Sequence, residues 1–169
     1  NKTSGDGLFD DNDLFFLQSL ASSAALAILN ARMAEALVEQ ERVKRELELA
    51  AEIQRSLLPD EKGEEYPVHG VNCPARTVSG DFYDYFPLPD GRIYFNLGDV
   101  SGKGMNAALL MAKTASLFRC LGKTIHDPGR LLSLINDEIC ETVTRGMFVT
   151  MLGGIYDPKK GTVKLANAG

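Results

Sequence analysis

Apolar side chains recur every three or four residues over the first third of the chain. Residues 13–57 contain neither Gly nor Pro, and Pro59 follows shortly afterwards, so the pattern predicts one long helix with Asp13 as its N-cap. Alternate steps of three and four define ten seam positions, eight of them apolar: Leu26, Leu29, Met33, Ala36, Gln40, Val43, Leu47, Ala50, Gln54 and Leu57. This repeat favours a coiled coil between two copies of the chain. The alternative is a single amphipathic helix that packs on its own domain.

Gln40 and Gln54 are the polar members of this seam, and they occupy equivalent heptad positions. A polar side chain at such a position can fix the register and the number of partners, at some cost in stability. Exchange of either glutamine for Leu is therefore expected to tighten the coil. The charged stretch Glu35–Glu52 is expected to form the solvated face of the helix.

After Pro59 the pattern changes to short apolar runs separated by polar turns, which indicates a second structural unit. The predicted strands are Val68–Arg76, Asp81–Pro87, Arg92–Asp99, Met147–Tyr156 and Thr162–Ala166, and the predicted helices are Met105–Leu121 and Pro128–Thr144. Pro89-Asp90-Gly91 has the composition of a hairpin turn between the second and third strands. Because strands both precede and follow a pair of helices, the fold class is α+β, with a long N-terminal helix ahead of a layered domain.

Two aspartates carry the candidate chemistry of this second unit. Asp99 ends a predicted strand within the glycine-rich segment Gly98-Asp-Val-Ser-Gly-Lys-Gly104, and Asp81 begins the strand that precedes it. Neighbouring antiparallel strands place the start of one beside the end of the other, so both carboxylates are expected at one edge of the sheet. Carboxylates, backbone carbonyls and water are the ligands that Mg²⁺ and Mn²⁺ prefer.

Other interpretations of these residues stay open from the sequence alone. A single Asp beside glycine is more often a turn residue, and only the pairing makes a metal site as favoured as a turn. Asp84 is interpreted as a strand-edge carboxylate, and Lys103 as a solvated loop lysine rather than a phosphate ligand. A nucleotide-binding P-loop is excluded, because only three residues separate Gly98 from Gly102 and no hydroxyl residue follows the lysine.

Composition narrows the range of partners. A formal charge of −5 and a pI near 5.1 argue against nucleic acid and an anionic membrane, which both require a basic surface. No apolar run approaches the roughly 18 residues that cross a bilayer. Three widely spaced cysteines (Cys73, Cys120 and Cys140), without any CxxC pair, predict reduced, core or half-buried thiols in a cytoplasmic protein.

Several ordered motifs resemble one family of bacterial enzymes. They are Glu52-Ile-Gln-Arg-Ser-Leu-Leu-Pro59, Ser79-Gly-Asp-Phe-Tyr-Asp84, the glycine-rich segment with its following Ala107-Ala-Leu-Leu-Met111, Phe148-Val-Thr-Met151 and Asn167-Ala-Gly169. In this order they resemble the PPM-type serine/threonine phosphatases, and most closely the stage-II-sporulation-E-like group that regulates sigma-factor partner switching. The resemblance covers about residues 52–169.

This resemblance implies a fold, a metal centre and a substrate. The fold is a β-sandwich flanked by helices, with an Mn²⁺ or Mg²⁺ pair at one edge that generates hydroxide to attack phosphoserine or phosphothreonine. At the matching positions Asp81 and Asp99 are metal ligands, and the Val100 carbonyl is a further ligand. The implied substrate is a phosphorylated sigma-factor-pathway regulator, such as an anti-sigma-factor antagonist, and the long helix implies a homodimer.

The N-terminal part resembles the last helix of a GAF sensor domain. The expected organisation is a GAF-like tail at 1–34, a linker or coiled-coil helix at 35–58, and the N-terminal part of a PPM-type domain at 59–169. In the family, further metal-binding aspartates follow the Asn-Ala-Gly motif, so this chain alone is expected to bind metal weakly and to turn over little. The rival hypothesis is a non-catalytic scaffold for dimerisation and partner binding.

Overall fold

A computed structural model of the protein describes residues 9–60, 63, 66–74, 77–143 and 146–169. The chain divides into two compact units, one up to Arg45 and one from Glu46 to Gly169. The elements in chain order are α1 (Asp11–Leu57), β1 (Phe82–Pro87), β2 (Ile93–Val100), α2 (Met105–Leu121), α3 (Pro128–Cys140), β3 (Val149–Asp157) and β4 (Thr162–Ala168). A long N-terminal helix followed by an antiparallel sheet with helices confirms the predicted α+β class.

The long helix is present, but it begins earlier than predicted. Asp10 is the residue before the first turn, and its backbone N–H donates to Asp13 Oδ2 at 3.0 Å. The Asp13 N–H donates in return to Asp10 Oδ1 at 3.0 Å. This reciprocal capping box satisfies two amides that the first turn leaves without helical partners. Asp13 therefore lies inside the first turn, and the prediction that it is the N-cap is wrong.

The predicted seam has two kinds of surroundings. Its apolar members Leu26, Leu29, Met33 and Val43 are exposed in the first unit. In the second unit, Ala51 of α1 is buried with Val78 and with Ala108 of α2. The end of α1 thus packs on its own domain, which was the alternative interpretation, and the earlier part presents an apolar stripe to solvent.

Within the described residues, α1 is the one helix that passes a length-and-composition test for a membrane span. An 18-residue window of it has a mean hydropathy of 1.6, and none of that window is buried. The expectation that no apolar run is long enough for a bilayer overlooked this stretch because Gln, Ser and Asn interrupt it; residues 14–31 nevertheless contain no charged side chain. Length and composition alone do not separate a bilayer span from a helix that pairs with another helix.

The sheet has the strand order β1-β2-β3-β4, and every neighbouring pair is antiparallel. The turn between β1 and β2 is closed by the Leu88 N–H, which donates to Arg92 O at 2.7 Å, and by the Gly91 N–H, which donates to Leu88 O at 3.0 Å. Gly91 has φ of 87°, a conformation that glycine adopts without strain. The predicted Pro-Asp-Gly hairpin is confirmed.

The first predicted strand, Val68–Arg76, is wrong over the part that the structure describes. Side chains rather than a ladder of backbone bonds hold this segment. Asn72 Nδ2 donates to Asp81 O at 2.8 Å. Gly70 lies so close to the Tyr83 ring that a Cβ would stand 2.3 Å from it. The apolar alternation predicted a strand, but the peptide groups find no strand partner among the described residues.

Two helices cover one face of the sheet and enclose the core. The buried residues include Phe82, Phe86, Tyr94, Met111, Phe118, Leu131, Ile135 and Ile155. Helix α2 has the predicted bounds, whereas α3 ends at Cys140 rather than at Thr144, which lies outside the described residues. Lys113 of α2 donates to Glu138 O at 2.7 Å. The Thr142 N–H donates to Ile139 O at 3.1 Å, a three-residue step that tightens the chain where the helix ends.

The cysteines are all free and exposed. Cys120 and Cys140 lie on α2 and α3, where the buried stripe is occupied by larger apolar residues such as Phe118 and Ile139. The prediction that the three thiols are core or half-buried is therefore wrong.

Candidate metal centre

The hairpin brings the two candidate aspartates together. Phe82, the first residue of β1, pairs with Gly98 of β2, so Asp81 and Asp99 face each other one step further along. Desolvation raises the pKa of the Asp81 carboxyl, and a side-chain hydrogen bond with Asp99 and the repulsion between the two carboxylates raise it further. The repulsion between the two carboxyl groups favours binding of a proton or a cation between them.

Small residues keep the backbone beside these carboxylates open. A Cβ on Gly80 would stand 3.0 Å from the Val100 carbonyl oxygen, so glycine leaves that oxygen unobstructed on this side. A Cβ on Gly98 would stand 2.4 Å from the Phe82 ring, which fills the space under the strand. Two carboxylates and a backbone carbonyl form an all-oxygen donor set, as Mg²⁺ and Mn²⁺ require.

The loop after Asp99 is hydrogen-bonded to Phe148, the residue before β3. The Ser101 N–H donates to Phe148 O at 2.9 Å, and the Phe148 N–H donates to Ser101 Oγ at 2.8 Å. Gly102 and Gly104 have φ of 94° and 81°, which residues with a side chain rarely adopt. The sequence Ser-Gly-Lys-Gly is thus a tethered turn that leads into α2.

The end of α1 supports the other side of the site through Gln54. Its Nε2 donates to Ser79 O at 2.7 Å, and its Oε1 accepts from the Ser79 N–H at 2.8 Å. The Ser79 hydroxyl in turn accepts from the Asp81 N–H at 3.0 Å. Gln54 is buried and makes both bonds to one peptide segment, so it belongs to this site. Its predicted place in a seam between two chains is wrong.

Asp84 does not join the two aspartates. Its carboxylate is 1% exposed and pairs with Arg119 of α2, which donates through Nη2 to Oδ1 and through Nε to Oδ2 at 2.8 Å. Burial raises the pKa of Asp84, and the bonds from Arg119 act in the opposite direction. Although β1 is an outer strand, Asp84 points inward and connects the sheet to α2, so its interpretation as a strand-edge carboxylate is wrong.

The aspartates open into a cleft lined by residues 78–81 and 99–104. Among the described residues no group of three or more His, Cys, Asp or Glu side chains converges on a metal position, so Asp81 and Asp99 are a pair. Lys103 is exposed in the same lining. His69 and His126 are exposed and lie outside this lining.

The comparisons with known proteins identify the family. The family described as Stage II sporulation protein E (SpoIIE) matches residues 89–169. The family resemblance that the ordered motifs indicated is thereby confirmed. The match includes the glycine-rich segment with Asp99, both covering helices and the last two strands.

Two relatives and one solved structure are also similar to this chain. The phosphoserine phosphatase RsbU of Bacillus subtilis is 32% identical over 132 residues, which is 77% of this chain and 39% of RsbU. Protein IcfG of Synechocystis is 32% identical over 155 residues, covering 73% of this chain and 24% of IcfG. The chain therefore spans less than half the length of either relative. The SiaA-PP2C domain of Pseudomonas aeruginosa superposes with a TM-score of 0.63 at 22% identity, over 76% of this chain and 55% of that domain, and shares its fold.

Sequence reasoning missed two contacts of the second unit, that of Gln54 with Ser79 and that of Arg119 with Asp84. Gln54 was placed by its heptad position, although it also lies inside the Glu52–Pro59 motif, which was the available signal. Arg119 carried no signal, because a lone cation near the end of an apolar helix is usually solvated. Its partner Asp84 is 35 residues away in the chain.

Proposed function

We propose that this chain is part of a metal-dependent, PPM-type protein serine/threonine phosphatase of bacterial signalling. The observation that carries the proposal is the pair of Asp81 and Asp99 carboxyls, which lie next to each other in an open cleft. Asp99 lies inside the segment that matches the SpoIIE family, and Asp81 lies shortly before it. The kinship to RsbU, which is a phosphoserine phosphatase, supports phosphomonoester hydrolysis as the chemistry.

Asp81, Asp99 and the Val100 carbonyl would hold Mn²⁺ or Mg²⁺. Bound metal lowers the pKa of a coordinated water and neutralises charge on a phosphoryl group, so no protein nucleophile is required. The residues of the chain fix the donors: the register of β1 and β2 sets the two carboxyls side by side, and Gly80 leaves the carbonyl open. Two ions in the complete domain need more carboxylates than these two, so we propose that residues 1–169 alone have little activity.

The proposed substrate is a phosphoserine or phosphothreonine protein of the sigma-factor pathway, such as an anti-sigma-factor antagonist. The support is the kinship of this family segment to RsbU. We further propose a cytoplasmic homodimer that pairs through α1, with a GAF-like tail at 1–34 and a linker helix at 35–58. The exposed apolar stripe of α1 supports this pairing.

In the proposed protein, hydrogen bonds connect the end of α1 to the metal centre. Gln54 near its end holds the Ser79 peptide groups, and the Ser79 hydroxyl accepts from the Asp81 N–H. A displacement of this part of α1 would change the backbone that positions a metal ligand. This contact gives a physical route for a signal along the helix, and its coupling energy is open to measurement.

The test compares Asp99→Asn with Asp137→Asn in a chain that carries the complete domain. Asp137 is exposed on α3 and provides the same chemical change outside the cleft. We expect Asp99→Asn to lower Mn²⁺-dependent hydrolysis of an aryl phosphate by at least about a hundredfold and to weaken Mn²⁺ binding measured by calorimetry. Asp137→Asn should match the wild type, and residues 1–169 should show little turnover.

The scaffold hypothesis makes the opposite prediction. A folded, complete domain that neither binds Mn²⁺ nor hydrolyses phosphomonoesters would reject the phosphatase proposal. The adjacent pair of carboxyls argues against that outcome, because their mutual repulsion favours a bound cation.

A further inference from the structure

The cleft beside the aspartates contains one basic residue. Its lining comprises residues 78–81 and 99–104, and Lys103 is the only Lys, Arg or His in these two segments. Its side chain is exposed, and none of the ion pairs among the described residues involves it. The ammonium group is therefore available to a ligand, whereas Lys113 and Lys164 are engaged with protein oxygens.

The backbone around Lys103 restricts where this ammonium can reach. Gly102 and Gly104 flank it with positive φ, and Ser101 is bonded to Phe148 through both its N–H and its hydroxyl. The lysine thus extends from a tethered turn three residues after the Val100 carbonyl. A lysine on a mobile arm would lose more conformational entropy on binding than one whose backbone is already fixed.

The negative charge of the cleft favours a cationic group beside the substrate. A phosphomonoester carries about two negative charges near neutral pH, and both acidic residues of the cleft repel it. Metal ions would offset the carboxylates, but the outward phosphoryl oxygens still require donors. Lysine is a common phosphate ligand in proteins, where it acts as a point charge with three donors.

We propose that Lys103 binds the phosphoryl group of the substrate, with Nζ donating hydrogen bonds to its non-bridging oxygens. The inference rests on the proposed phosphatase function and adds a substrate-binding residue to it. Lys103 takes no part in bond making, so its effect belongs mainly to substrate affinity. From the sequence, this lysine was expected to be a solvated loop residue; its place in the lining of the cleft favours the role of phosphate ligand instead.

The experiment uses a chain with the complete domain and three variants, Lys103→Gln, Lys103→Arg and Lys159→Gln. Lys159 is exposed in the turn between β3 and β4 and supplies the matched loss of charge. Hydrolysis of a phosphoserine peptide with Mn²⁺ gives kcat and KM, and inhibition by inorganic phosphate gives a second measure of phosphoryl affinity. Calorimetry with Mn²⁺ alone measures the metal site.

We expect Lys103→Gln to raise KM and the phosphate inhibition constant about tenfold, the size of one charge-assisted hydrogen bond. Lys103→Arg should recover most of the loss, and Lys159→Gln should match the wild type. The Mn²⁺ affinity of Lys103→Gln should differ from that of the wild type by less than about twofold, because the carboxylates hold the metal whereas the lysine binds the phosphoryl group.

Unchanged KM and phosphate inhibition in Lys103→Gln would overturn the inference. A change confined to Mn²⁺ affinity would also overturn it, because the lysine would then act on the carboxylates. An inert wild type would instead reject the proposed function. Titration of inorganic phosphate into the Mn²⁺-loaded proteins would still decide whether Lys103 binds the anion.

Discussion

Gln40 and Gln54 stand at equivalent heptad positions but have different surroundings in the folded chain. Gln40 is exposed in the first unit. Gln54 is buried and is bonded to both peptide groups of Ser79. A periodic pattern describes positions on a helix, and it contains no information about a loop 25 residues away in the chain that supplies the partner.

Gln54→Leu should destabilise the second unit. Leu cannot bond to the Ser79 peptide groups, and buried peptide groups without partners cost about 1–3 kcal/mol. We expect the free energy of unfolding, measured with urea, to fall by about 2 kcal/mol. Gln40→Leu is the matched control and should change it by less than about 0.5 kcal/mol. Equal effects in both variants would contradict the structural assignment of Gln54.

Arg119→Met should destabilise the protein in a pH-dependent way. It removes the partner of the Asp84 carboxylate, which is 1% exposed. We expect the free energy of unfolding to fall by about 2 kcal/mol at neutral pH. This is less than the loss of one partner costs in a fully buried ion pair, because Arg119 is partly exposed. It also removes the stacking of the guanidinium over the Phe86 ring. The measurement is the free energy of unfolding of wild type and variant across pH.

The sign of this pH dependence follows from burial. Burial raises the pKa of Asp84, and loss of Arg119 removes the groups that oppose this. A carboxyl with a raised folded-state pKa contributes most stability below its unfolded pKa, and this contribution is lost as pH rises through the folded-state value. The deficit of Arg119→Met should therefore grow as pH rises above the ordinary Asp pKa of about 4. The double variant Asp84→Asn/Arg119→Met should show no such growth; a pH-independent deficit would argue against an ionised Asp84.

At the scale of elements, α1 is the helix whose surroundings change along its length. Helix propensity and the absence of Gly and Pro determine that it forms. Ala51 near its end is buried with Val78 and Ala108, while the earlier apolar stripe has no covering element among the described residues. A 47-residue helix with an exposed stripe has much to gain from a second copy.

Leu29→Lys should weaken self-association of the chain, and Val38→Lys should not. Both side chains are exposed, at 54% and 72%, but only Leu29 lies on the predicted seam. A buried lysine in the seam loses solvation without gaining a partner, whereas position 38 stays solvated in a coil. Sedimentation equilibrium should show a dimer for wild type and Val38→Lys and mainly monomer for Leu29→Lys. A monomeric wild type would remove the coiled coil from the proposal.

At the scale of the whole molecule, the helices cover one face of the sheet, and the opposite face is only partly covered by the described residues. The helices bury Phe82, Tyr94 and Met151 on that face. On the opposite face Leu97, Val163 and Leu165 are 62%, 51% and 55% exposed. The resemblance to a β-sandwich implies a second sheet there, and the chain spans only 55% of the SiaA-PP2C domain. The same shortfall explains why we expect activity only from a chain that carries the complete domain.

The sequence by itself determined most elements and one juxtaposition. Periodicity fixed both covering helices and the β1–β2 hairpin, because these depend on contacts close in the chain. The hairpin alone then brings Asp81 and Asp99 together, since strand register follows from the turn. The ordered motifs were enough to predict the family resemblance, which the match of residues 89–169 confirmed.

Only the tertiary structure decided which side chains support that pair. Gln54 and Ser79, and Asp84 and Arg119, are separated by 25 and 35 residues, and their contacts depend on how α1 and α2 pack on the sheet. The segment before β1 likewise showed a strand pattern without gaining a strand partner. A local pattern records which faces prefer burial, but the identity of the neighbour on that face is a property of the packed chain.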